Sequence, residues 1–171
     1  MSRVFFALWP DDEVRDGLGR WIQEARVIAG GRATQARNLH LTLAFIGETD
    51  ARRFPELVAA AAGIRLPPCE LIIDQCRYWK HNRIVWAGGG APQALNEGVA
   101  QLRAALQAAG IRFDGKAFVP HVTLLRDARA VPQLPQLAPV RWHIRDFVLL
   151  ASGRDGDGPI YRVVAGPFVK A

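Results

Sequence analysis

Two four-residue segments, His40-Leu41-Thr42-Leu43 and His121-Val122-Thr123-Leu124, follow one pattern in a chain with only four histidines. Both lie in β-favouring runs. On a strand, positions i and i+2 share a face about 6.5–7 Å apart, so each segment aims an imidazole and a hydroxyl together. Leu41, Leu43, Val122 and Leu124 then point the opposite way, into a core. Any fold for this chain has to provide two half-buried strands of this kind.

The surrounding pattern supplies them. Val4 to Trp9 reads as a strand stopped by Pro10, after which Asp11 or Asp12 caps a helix with apolar positions Val14, Leu18, Trp21, Ile22 and Ala25. The basic, turn-rich segment Gly30–Asn38 leads into a strand from Leu39 to Ile46 that stops at Gly47, and a helix follows over about Arg52–Ala62. Glu70–Trp79 and Arg83–Ala87 read as an antiparallel pair joined at Lys80-His81-Asn82. Leu95, Val99, Leu102 and Leu106 mark a third helix that Gly110 ends. A second basic, turn-rich segment, Arg112–Pro120, feeds the strand His121–Arg126, and Val131–Pro139 is a Pro-rich surface loop. Strands over Trp142–Ala151 and Ile160–Ala165 close the chain, joined by a flexible loop, Ser152–Gly158. This order predicts an α+β fold of mainly antiparallel sheets, not a doubly wound parallel sheet. Each half carries a helix, a basic turn-rich segment and a His-x-Thr-Leu strand.

Charge narrows the partners. The 22 Lys and Arg against 16 Asp and Glu give a net +6, which favours polyanions such as nucleic acids or phosphate esters. Arg-rich, Ala- and Gly-rich composition is also what a GC-rich genome yields without any ligand. Cys69 and Cys76 lie outside CxxC or Cys/His metal spacing, which fits a reducing cytoplasm better than a disulfide framework. The apolar run before Pro10 is too short for a signal-peptide core, and no stretch approaches the roughly 18 apolar residues of a membrane span. No heptad is evident, so a monomer is the default expectation.

Two imidazoles and two hydroxyls around one small group suit phosphoryl transfer. A neutral imidazole takes a proton from the attacking oxygen, an imidazolium gives one to the leaving oxygen, and the hydroxyls of Thr42 and Thr123 hold phosphate oxygens. This chemistry requires neither metal nor other cofactor. A zinc site would want three or four ligands, and no Asp, Glu or Cys stands at ligand spacing from His40 or His121. Incidental histidines on hydroxyl-rich strands are the plainest alternative for either segment alone. His81 and His143 lack a Thr partner and read as structural or exposed.

Together with Arg3-Val4-Phe5-Phe6-Ala7-Leu8, Asn38–Glu48, Arg83-Ile84-Val85-Trp86 and Phe118–Arg126, these segments make nearly the whole chain resemble the 2H phosphoesterase superfamily. Within it the chain is similar to the RNA 2′,3′-cyclic phosphodiesterases, once called 2′-5′ RNA ligases. The resemblance implies one domain over residues 1–171 made of two intertwined lobes, bilobal with a pseudo-two-fold, whose two mainly antiparallel sheets are flanked by helices. A central cleft would carry the two His-x-Thr strands. It further implies metal-independent, cytoplasmic opening of 2′,3′-cyclic phosphates, on RNA ends or cyclic nucleotides, to a 2′-phosphate. By position His40 would protonate the departing 3′ oxygen and His121 would activate water, although a near-symmetric site admits exchanged roles, and the reverse reaction would be 2′-5′ ligation. Thr42 and Thr123 would bind phosphate oxygens, and Arg126 would contact the phosphate or lie over the base. Phe45 would stack on the base, yet at its odd offset it faces away from His40 unless the strand bends near Ala44. Lys116 stands where many relatives carry Arg, replacing a bidentate contact with a point charge. The reading from another class is a non-catalytic module that binds RNA ends or phosphate.

Overall fold

The computed structural model describes residues 1–169. Three helices and ten strands are arranged as two four-stranded sheets and a two-stranded ribbon, with every strand pairing antiparallel. The fold is α+β, as the order of elements predicts.

In the first sheet β1 (Ser2–Leu8) lies between β3 (Leu41–Thr49) and β9 (Asp146–Asp155), with β10 (Gly158–Val169) beyond β9. β1 is buried on both faces. Val4, Phe6 and Leu8 enter the main core, and Phe5 and Ala7 form a smaller apolar group with Val148 and Leu150 on the opposite face. In the second sheet β7 (His121–Arg126) lies between the two-residue β2 (Arg32–Ala33) and β6 (Ile84–Gly88), with β5 (Gln75–Trp79) at the edge. β4 (Cys69–Ile73) and β8 (Val140–Ile144) make the ribbon.

α1 (Asp12–Ala29) starts where Asp11 accepts a hydrogen bond from the Val14 amide at 2.9 Å, and it ends at Gly30, whose positive φ of 64° suits glycine. Its stripe of Val14, Leu18, Trp21, Ile22 and Ala25 is buried, as the spacing predicts. α1 leaves the first sheet and packs on β7 of the second and on β8, whereas α3 (Gln93–Ala108) leaves the second and packs on β3 of the first. α2 (Phe54–Ala61) packs on α3. The helices thereby cross between the sheets, and β3 and β7 approach to within 8 Å between Cα atoms although they belong to different sheets.

Several boundaries differ from those read in the sequence. Glu70–Trp79 is not one strand. It breaks at Asp74 into β4 of the ribbon and β5 of the second sheet. Trp142–Ala151 likewise breaks at Arg145 into β8 and β9, because a continuous β-favouring run carries no mark of a change of partner. β3 runs through Gly47 to Thr49, with Gly47 at a positive φ of 94° where the register with β1 shifts. Ser152–Gly158 is mostly paired, so the connection is a tight hairpin turn and not an open loop.

Candidate active site

His40 stands immediately before β3, on the approach from a 3₁₀ turn over Ala36–Asn38. That turn is pinned from both sides. Arg15 of α1 donates to the carbonyls of Ala36 and Leu39, and the buried Asn38 side chain donates to Pro159 O at 2.7 Å while accepting from the Tyr161 amide at 3.1 Å. His40 Nδ1 lies 2.7 Å from Asn38 O. A carbonyl can only accept, so Nδ1 carries the proton and neutral His40 presents Nε2 as its lone-pair nitrogen. Phe5 packs on the ring at 4.8 Å between centroids, and Tyr161 meets it edge-on at 5.0 Å.

His121 begins β7 in the same way. Its Nδ1 lies 2.7 Å from Val119 O, which fixes the same tautomer and leaves the lone pair on Nε2. Trp79 of β5 stands edge to face against this ring at 4.7 Å, with Trp86 of β6 at 6.0 Å. Neither Nε2 has a hydrogen-bond partner among the described residues. Leu41, Leu43, Val122 and Leu124 are all buried in the main core, so the alternation turns His40, Thr42, His121 and Thr123 toward one shared cavity of about 500 Å³.

Phe45 lines the same cavity, against simple alternation. Ala7 pairs with Thr42 and Phe6 with Ala44, so Leu43 is skipped, and this bulge returns Phe45 to the face of Thr42. Leu43 and Ala44 are consecutively buried as a result. Arg103 of α3 donates to the Leu43 carbonyl and, at 2.7 Å, to Lys116 O, tying the bulge to the basic loop after α3. Phe45 is 39% exposed and stacks on Phe5 at 6.4 Å.

Arg126, at the end of β7, reaches the cavity and has no ion pair within 4.0 Å among the described residues. Lys116 stands at the rim, paired with Asp114 at 3.3 Å. His81, read from sequence as structural or exposed, is exposed but also lines the cavity. His143 lies elsewhere, beside Glu70 at 3.3 Å. Sequence reasoning missed Trp79, Arg103 and Tyr161 as lining residues, since no spacing distinguishes them from ordinary strand and helix positions.

Burial pushes the His40 imidazole down to about 4, with the Asn38 carbonyl opposing and nearby His121, Arg126 and Arg15 reinforcing the shift. Burial lowers His121 too, against the Val119 carbonyl and with help from Arg126. Both rings are therefore neutral near pH 7 in the free protein. The donor set of two imidazoles and two hydroxyls lacks the carboxylates or thiolates that complete common metal sites, and among the described residues no three His, Cys, Asp or Glu gather at metal-binding distance. What the arrangement can do is hold an anion and pass protons on either side of it.

A family model described as LigT like Phosphoesterase matches residues 8–86 and 89–161. The RNA 2′,3′-cyclic phosphodiesterase of Escherichia coli (strain K12) is 35% identical over 154 residues, covering 88% of this chain and 87% of that protein. A protein of the same name from Thermus thermophilus is 29% identical, with 95% of this chain and 87% of the relative covered. The crystal structure of E. coli LigT complexed with 3′-AMP superposes with a TM-score of 0.81 at 31% identity, covering 96% of this chain and 95% of that one.

Proposed function

The chain belongs to the LigT-like phosphoesterases of the 2H superfamily, and from that premise we propose that it hydrolyses 2′,3′-cyclic phosphates, on RNA ends and small nucleotides, to 2′-phosphomonoesters. The observation that carries the reading is the pair of carbonyl-held imidazoles, each with Nε2 left unpartnered, lining one cavity with two Thr hydroxyls.

The cyclic phosphate binds between the two strands, its free oxygens accepting from Thr42 and Thr123 and attracted by Arg126 and, more weakly, Lys116. His121 Nε2 takes a proton from water as the water oxygen forms its bond to phosphorus. The bond from phosphorus to O3′ breaks on the opposite side, and His40 Nε2–H protonates that oxygen. The 2′-phosphate remains, and the histidines exchange protons with solvent before the next turnover. Reversal of the step exchanges their roles by microscopic reversibility, and a 5′-hydroxyl in place of water gives a 2′-5′ linkage. Phe45, beside Phe5, offers a face for the base.

His40 takes up the proton it donates from solvent as the substrate binds. A phosphodiester anion beside two neutral imidazoles favours their charged forms and raises the pKa that burial has lowered. An RNA oligonucleotide ending in a 2′,3′-cyclic phosphate tests the reading. Conversion to a 2′-phosphate end is expected, whereas salt-sensitive binding without turnover would favour a binding module instead.

A further inference from the structure

Two parts of the chain that belong to different sheets meet around Phe45. Phe45 stands on β3, the edge strand of the first sheet, and Lys116 and Phe118 stand on the connection from α3 to β7 of the second. An edge strand presents carbonyls that its own sheet leaves unpaired. The second part takes up two of them. The Asp114 amide donates to Phe45 O at 2.9 Å, and Arg103 of α3 donates to Leu43 O through Nε at 3.3 Å and Nη2 at 3.2 Å.

Arg103 reaches further. Its Nη1 donates to Lys116 O at 2.7 Å, and its Cζ lies 5.8 Å from the centroid of the Phe113 ring. One planar guanidinium thus spans β3, at the residue that the register with β1 skips, and the run Lys116–Pro120 that leads to His121. Among the described residues Arg103 has no ion pair within 4.0 Å. Its hydrogen bonds go to backbone carbonyls, a geometry for holding main chain in place and not for pairing charge.

Resting on the proposed cyclic phosphodiesterase reading and on Phe45 as the face for the base, we infer that Arg103 is a positioning residue that acts through Phe45. It fixes the distance from that ring to His121, so that the base and the cyclic phosphate of one nucleotide are engaged together. The span of the side chain matters here and not its charge alone. A lysine ammonium keeps the charge but lacks the fork that reaches both carbonyls.

The test measures kcat and KM for 2′,3′-cyclic AMP and for the 2′,3′-cyclic phosphate of 1-O-methylribose, which lacks a base. It uses the full chain and its Arg103→Met, Arg103→Lys and Phe45→Ala variants, with Arg103→Met and Phe45→Ala also combined. The unaltered protein should favour the nucleotide by about tenfold or more in kcat/KM, the worth of a base stacked on an aromatic ring. Arg103→Met should remove most of that preference through a higher KM for the nucleotide, with kcat held within about threefold, and should cost nothing further once Phe45 is alanine. Arg103→Lys should behave more like Arg103→Met than like the unaltered protein. Should Arg103→Met fail to fold, Arg103→Lys alone and combined with Phe45→Ala carries the same comparison. Equal losses on both substrates, losses that add in the double variant, or full activity in Arg103→Lys would overturn the positioning role. So would an unaltered protein that does not favour the nucleotide, whereas turnover of neither substrate would overturn the phosphodiesterase reading on which the role rests.

Discussion

Each imidazole of the pair donates Nδ1–H to the carbonyl two residues upstream, so orientation is set by backbone and protonation by surroundings. A sequence reading of the chemistry expects one neutral and one protonated ring. Burial instead lowers both in the free protein, His40 to about 4. Because kcat/KM refers to free enzyme and substrate, and because the reacting pair needs one proton, kcat/KM should rise as pH falls from 8 and peak on the acid side of 6.5. The profile of kcat should lie at higher pH, since bound phosphate stabilises the imidazolium. A kcat/KM that climbs steadily from pH 6 to 8 would contradict this assignment. Among the cations, Arg126→Ala should raise KM about tenfold. The Lys116 side chain is 88% exposed and already paired with Asp114, so Lys116→Ala should cost far less. Steady-state kinetics on a cyclic nucleotide distinguish the two.

At the scale of elements, β6 fixes how close its neighbour can stand. Gly88 pairs with His121, and a Cβ at Gly88 would lie 2.5 Å from Pro120 O and 2.7 Å from the Trp86 ring. Gly88→Ala should therefore push Trp86 and the start of β7 apart, cost about 1–3 kcal/mol of stability and lower kcat. Unchanged thermal unfolding and unchanged turnover in that variant would show the contact to be slack. Much of this level was legible in advance, because the helices follow apolar spacing and the Asp11 cap, and both His-x-Thr strands follow alternation. Alternation also indicated that Phe45 needs a bend to join the site, and the bulge at Leu43 provides it one residue before the expected Ala44. What remained hidden depends on partners distant in sequence. The breaks at Asp74 and Arg145 mark strands that change sheets, β2 is only two residues long, and Arg103 reaches the site by donating to the Leu43 carbonyl on β3, the edge strand of its sheet.

Across the whole molecule, the helices that cross between sheets bring β3 and β7 together, and folding leaves both histidines half-buried. This burial has a thermodynamic sign. A histidine lowered on folding takes up its proton in the unfolded chain first, so stability falls as pH drops below about 6.5 and the loss levels off below about 4. For His40 the loss amounts to about 3 kcal/mol. His40→Gln should flatten that part of the pH dependence of Tm, and a slope that persists undiminished would place its origin elsewhere. The most direct test of the two-histidine reading is hydrolysis of 2′,3′-cyclic AMP in excess EDTA by the unaltered protein, His40→Gln and His121→Gln, with 2′-AMP resolved from 3′-AMP. The result expected is 2′-AMP from the unaltered protein, with each variant slower by about 10²- to 10⁴-fold. Near-full turnover in either variant, loss of activity with EDTA, or 3′-AMP as the product would contradict it.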